Sequence, residues 1–133
     1  MSAFGKQELE SIRVFFDALN KGHHSDNWKG KKASHWQQEL ILAIDQDKLE
    51  DSEAYRLAYW ALSKRFDPNL VTPFRRWLKR ELEGADGQAI FQLMIGLDNL
   101  DEPVFDPSRS GYASFEEELN RRDASHYLNH THL

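Results

Sequence analysis

The sequence predicts an all-α protein: a single domain of five or six helices, built as an irregular bundle or a short HEAT-like array of helix pairs around a central hydrophobic helix. Three observations carry that prediction. Glycine and proline number only 7 and 4, so few positions break a helix. β-Branched residues are scarce, which disfavours a sheet. Apolar residues recur at spacings of three and four in successive stretches, which puts them on one face of a helix.

The first helix is expected over 6–21, with Leu9, Ile12, Val14, Phe15, Phe16 and Leu19 as its apolar stripe and Gly22 as its stop. The polar stretch 23–32 reads as a loop that Trp28 tacks onto the body. Ser34 reads as the N-cap of a second helix whose stripe is Trp36, Leu40, Ile41 and Ile44, ending in the acidic segment 45–51. Ser52 is expected to cap a third helix with Tyr55, Leu57, Ala58, Tyr59, Ala61, Leu62 and Phe66 on its apolar face, interrupted at Asp67 and Pro68. Thr72 and Pro73 read as N-cap and first position of a fourth helix over 73–83, closed by Gly84.

The fifth helix, 86–100, is apolar nearly all round and belongs in the middle. The stretch 101–113, with two prolines and a glycine, reads as a long loop. Ser114 and Glu117 have capping-box spacing, so a sixth helix is expected over 115–128, with 129–133 as a frayed tail.

A chain of 133 residues suits one domain that folds without a metal or a disulfide, and the absence of cysteine removes thiolate chemistry and sulfur-ligated zinc. No apolar run approaches a membrane span and no leader pattern opens the chain, so a cytoplasmic protein without membrane contact is expected. The net charge of -5 argues against a general nucleic-acid binder. No phosphate-binding loop, dinucleotide fingerprint or nucleophile elbow is present. The reading is therefore a protein with no catalytic residue, no metal and no cofactor.

Candidate binding residues fall in two classes. Carboxylates cluster at expected helix ends and loops: Asp45, Asp47, Glu50, Asp51 and Glu53; Asp98, Asp101, Glu102 and Asp106; and Glu116, Glu117 and Glu118. With Trp28, Phe105 and Tyr112 read as exposed aromatics, such a surface would dock a basic protein, because opposite potentials speed encounter and aromatic anchors supply binding energy. The alternative is a regulatory or scaffold module that contacts nucleic acid or protein through the basic strip Arg75, Arg76, Lys79 and Arg80.

Weaker constellations are His126, His130 and His132, whose spacing invites a metal but whose terminal position opposes one, and the adjacent His23 and His24, read as surface residues. Asp123 and His126, three apart, would be an Asp-His pair without a hydroxyl nucleophile in view.

The segment 89–105, AIFQLMIGLDNLDEPVF, leading through a proline-containing loop to SFEEELNRRDASHYL at 114–128, resembles small helical immunity proteins of bacterial contact-dependent growth inhibition and polymorphic-toxin systems. The resemblance lies in a hydrophobic helix ending in Leu97-Asp98-Asn99-Leu100, an acidic turn, and a last helix reading Glu118-Leu119-Asn120-Arg121-Arg122-Asp123-Ala124. It implies a cofactor-free cytoplasmic protein that neutralises one cognate toxin by tight binding, at its active site or at an exosite; a monomer is expected. Many such toxins are nucleases with basic clefts, where an acidic inhibitor takes the place of phosphate. The first half of the chain carries no matching motif.

Overall fold

In the computed structural model, which describes residues 4–130, six α-helices and one 3-10 turn make up the regular structure of those residues, with an isolated bridge between Trp28 and Lys31. The chain is all-helical as expected. Its contacts divide it into two compact units, Met1–Arg65 and Phe66–Leu133.

The first unit holds α1 (Lys6–Asn20), α2 (Ala33–Asp45) and α3 (Ser52–Ser63). Leu9, Ile12, Phe15 and Phe16 of α1 are buried as their spacing requires. The main partner of α1 is α3, rather than α2 pairing with α3. The small buried residues Ala54, Ala58 and Ala61 of α3 allow close approach of a neighbouring helix. Gly22 ends α1 with φ +76°, and the amides of Gly22 and His23 return to the carbonyls of Leu19 and Ala18 at 3.1 and 2.8 Å.

Two expected caps are different residues. The Asp26 side chain, from the loop, accepts the Ala33 N–H at 2.7 Å, so α2 starts before Ser34 and needs no hydroxyl there. Asp51 rather than Ser52 caps α3, accepting the Ala54 N–H at 3.0 Å. Trp28 does tack the loop down: it is half-buried, 5.0 Å from the Trp36 ring and 6.2 Å from Phe15, and its carbonyl accepts the Trp36 indole N–H at 3.0 Å.

The second unit holds the 3-10 turn Pro68–Leu70, α4 (Val71–Leu82), α5 (Gly87–Asp98) and α6 (Glu117–Asn129). Within it α5 packs on both α4 and α6, the central position its apolar surface demands. Asp67 accepts the Asn69 N–H at 2.9 Å and starts the 3-10 turn, which runs directly into α4. Helix α4 therefore begins two residues before Pro73. The proline sits in the first turn, where its missing N–H has no intrahelical partner to lose. Phe66 does not extend the apolar face of α3: it lies beyond the helix at φ 52° and is 44% exposed.

The capping box at Ser114 does not form. Helix α6 starts at Glu117 without a side-chain cap, and Glu117 pairs instead with Arg121 at 3.3 Å. At its other end α6 runs through Asn129, so the expected tail begins later; 131–133, including His132, lie outside the described residues.

Candidate interaction surface

The helices α2 and α5 end in the same way. At α5, Asp101 takes φ 63° while the Glu102 N–H reaches back to the Leu97 carbonyl at 3.1 Å. At α2, Asp47 takes φ 54° while the Lys48 N–H reaches the Ala43 carbonyl at 2.9 Å. This closing turn favours glycine at the left-handed position, and an aspartate there stores on the order of 1 kcal/mol of strain. Both helices also end on a second carboxylate, Asp45 and Asp98, at the negative end of the helix dipole, where cations are favoured. Burial and the nearby Asp101 charge push the Asp98 carboxyl above its usual value. Asp45, Asp47, Glu50, Asp98 and Asp101 are all exposed, and Asp47 accepts a hydrogen bond from the Tyr55 hydroxyl.

Several carboxylates expected on this surface are held by neighbouring groups of the protein. Asp51 caps α3 and pairs with Lys6 at 2.7 Å; the Lys6 hydrogen bond and the helix amides hold its carboxyl below the usual range. Glu102 is half-buried and accepts from both Arg75 and the Tyr127 hydroxyl, the latter at 2.5 Å. Arg75 also donates to the Tyr127 oxygen at 2.7 Å, so the three groups tie α4, the 101–116 loop and α6 together. Arg75 accordingly leaves the expected basic strip, while Arg76, Lys79 and Arg80 remain exposed. Asp106 turns back on its own loop, accepting the Ser108 N–H at 2.9 Å and its hydroxyl at 2.8 Å, and these bonds lower its carboxyl.

The aromatics divide similarly. Phe105, expected as an exposed anchor, is only 6% exposed because it packs 6.0 Å from Phe91 and is covered by Tyr112, stacked at 4.0 Å. Tyr112 is exposed on its outer face.

Sequence reasoning missed Arg109. Its side chain is buried, donating to Asp123 at 2.8 Å, Asn120 at 3.0 Å and Glu116 at 3.1 Å, with Phe105 and Tyr112 against the guanidinium. Asp123 also accepts the Asp106 N–H at 3.2 Å. Burial alone would lower the Arg109 guanidinium, but the Asp123 and Glu116 hydrogen bonds raise it overall. No local spacing announces this cluster, since its members are brought together only when the loop folds onto α6.

The Asp123-His126 pair suggested by spacing is not made, because Asp123 turns to Arg109 while His126 lies exposed with its ring 4.1 Å from that of His130. These residues border a concavity of about 450 Å³ between the 103–107 loop and α6. Among the described residues no group of three or more His, Cys, Asp or Glu could hold a metal, and no helix is long and apolar enough to cross a membrane. His23 and His24 are exposed in the loop, as expected.

Comparison with protein-family models, curated proteins and solved structures returned no match to this chain.

The Arg75–Glu102–Tyr127 cluster has a pH signature. Burial and the Glu102 hydrogen bond push the Tyr127 phenol from 10.0 up to about 12. A group raised on folding stabilises the protein fully below its unfolded value and loses that contribution as pH rises through its folded value. Glu102 shifts the other way: burial would raise it, but Tyr127 and Arg75 bring it below its ordinary 4.5, so its contribution is present above 4.5 and is lost as pH falls further. Urea midpoints followed against pH should therefore decline above pH 10 for the wild type, with that alkaline component absent in Tyr127→Phe, and decline below pH 4.5, with that acid component reduced in Glu102→Gln.

Proposed function

We propose that this chain is a binding protein for a basic protein partner and that the acidic end of α5, with Asp98 and Asp101, forms part of the contact. The observation that supports it is the left-handed Asp101 beside Asp98: a strained residue and two mutually repelling carboxylates at the wrong end of a helix dipole. Glycine at position 101 would relieve the strain, and a cation would relieve the repulsion. A basic partner supplies that cation, so its binding gains what the isolated fold lacks. The similar end of α2, with Asp45 and Asp47, gives the first unit a comparable acidic feature.

The resemblance of 89–128 to immunity proteins gives that binding a purpose, the neutralisation of a cognate bacterial toxin of the nuclease type by a monomer in the cytoplasm. The exposed Arg76, Lys79 and Arg80 keep a phosphate-binding reading as the alternative, which a gel shift at low and moderate salt would reveal.

The test uses a toxin domain encoded beside this protein's gene in its host. Co-expression with the wild type should preserve growth, and calorimetric affinity should fall with salt. Asp101→Gly should stabilise the fold by about 1 kcal/mol, and combining it with Asp98→Asn should weaken toxin binding about tenfold. Growth arrest in the presence of the wild type would refute the toxin assignment. Unchanged affinity and salt dependence in the double variant would refute the role of the α5 end.

A further inference from the structure

The most exposed large hydrophobic residue among those described is Phe115, with 84% of its surface open to water. It lies in the turn immediately before α6, and that turn is held from several sides. The Ala113 carbonyl accepts both the Glu116 N–H at 3.1 Å and the Asn120 side-chain amide at 3.0 Å. Arg109 grips Glu116, the residue after Phe115, together with Asn120 and Asp123 of α6, and lies against Phe105 and Tyr112, whose own rings stack. A buried, charge-assisted network thus fixes the backbone on which the ring is presented. An aromatic side chain displayed on an ordered turn loses little conformational freedom on docking, which is the property of a binding hot spot.

The surroundings of Phe115 select the partner. Glu117 and Glu118 follow it and are exposed. The Glu117 side chain lies over Gly87, where an added Cβ would come within 2.6 Å of the carboxyl carbon, so the start of α6 sits beside the start of α5 and the preceding turn with its exposed Glu83. The nearby cation Arg121 is engaged by Glu117 and by the carbonyls of Leu82 and Gly84 at 3.4 and 2.9 Å. Arg109 is buried. The exposed charges that follow the ring directly along the chain, Glu117 and Glu118, are therefore carboxylates.

We propose that Phe115, followed by the exposed Glu117 and Glu118, is an anchoring residue for a cationic protein segment in which Lys or Arg side chains surround an apolar depression. A second copy of this chain fits poorly, since it would bring the same carboxylates face to face. The surface lies at the opposite end of α5 from Asp98 and Asp101, and it stands whether or not the partner is a toxin.

The probe is a displayed library of random 12-residue peptides, selected on the immobilised wild-type protein. Selected peptides should combine Lys or Arg with Trp, Leu or Met. Their affinity should drop at least about thirtyfold for Phe115→Ser, fall more modestly for Glu118→Lys, and weaken with salt. Because Phe115 is so exposed, Phe115→Ser should melt within about 2 °C of the wild type. Failure to enrich any peptide, enrichment of acidic or uncharged peptides, or equal binding to Phe115→Ser would each overturn the proposal. A concentration-dependent dimer of the wild type that Phe115→Ser abolishes would overturn it in favour of self-association.

Discussion

Asp123→Ala is expected to destabilise the protein by about 3–5 kcal/mol, read as a lower urea midpoint. Asp123 and Arg109 are 5% and 6% exposed and 2.8 Å apart, so deleting the carboxylate leaves a guanidinium out of water with Glu116 as its remaining anionic partner. The Asp106 N–H loses its acceptor as well. The large effect comes from the orphaned charge rather than from the intrinsic strength of the pair. Replacing both members by apolar residues, Arg109→Met with Asp123→Leu, should therefore recover most of the loss. A cost below about 1 kcal/mol for Asp123→Ala would mean that water reaches the guanidinium, and the account of a buried clamp would be wrong.

The second large effect is expected at Gly96. An added Cβ there would lie 2.9 Å from Cε2 and 3.1 Å from Cζ of Phe74, a ring that is itself buried. Alanine would regain about 1 kcal/mol of helix propensity against that clash, so its net effect is small. Leucine adds three more carbons to a space already filled, and Gly96→Leu should cost about 3 kcal/mol. The same substitution combined with Phe74→Ala should cost much less than the two single changes added together, because the second vacates the volume the first needs. Strict additivity in urea unfolding would show that the α4–α5 contact is not limited by this residue.

Much of the secondary structure was legible without coordinates, and the reasons are local. Stripes at helical spacing located α1, α2 and α3, and cap signals pointed to α4 and α6 even though the Ser114 capping box does not form. Helix α5 was recognisable as central to its surroundings because it is apolar nearly all round. The 101–113 loop and the anchoring of Trp28 followed from prolines, glycines and a lone indole in a polar stretch. Helix starts were less secure. Asp26 reaches seven residues along the chain to cap α2, and a preceding 3-10 turn moves Pro73 inside α4, so in neither case is the nearest suitable residue the one used.

The candidate site was legible only as composition. The acidic groups were identified, yet the chain alone does not say that Glu102 meets an arginine 27 positions away and a tyrosine 25 positions away, or that Phe105 turns inward beneath Tyr112. Arg109 had no periodic or motif signal at all. By itself the sequence determined the helical class, the main apolar faces and the excess of carboxylates, because these depend on residue type and on neighbours within about two turns. Only the tertiary structure decided which charges are neutralised inside and which face water, and that Phe115 stands outside while Phe105 does not. Burial and charge pairing depend on groups far apart along the chain, which meet only when the loop and the helices close around one another.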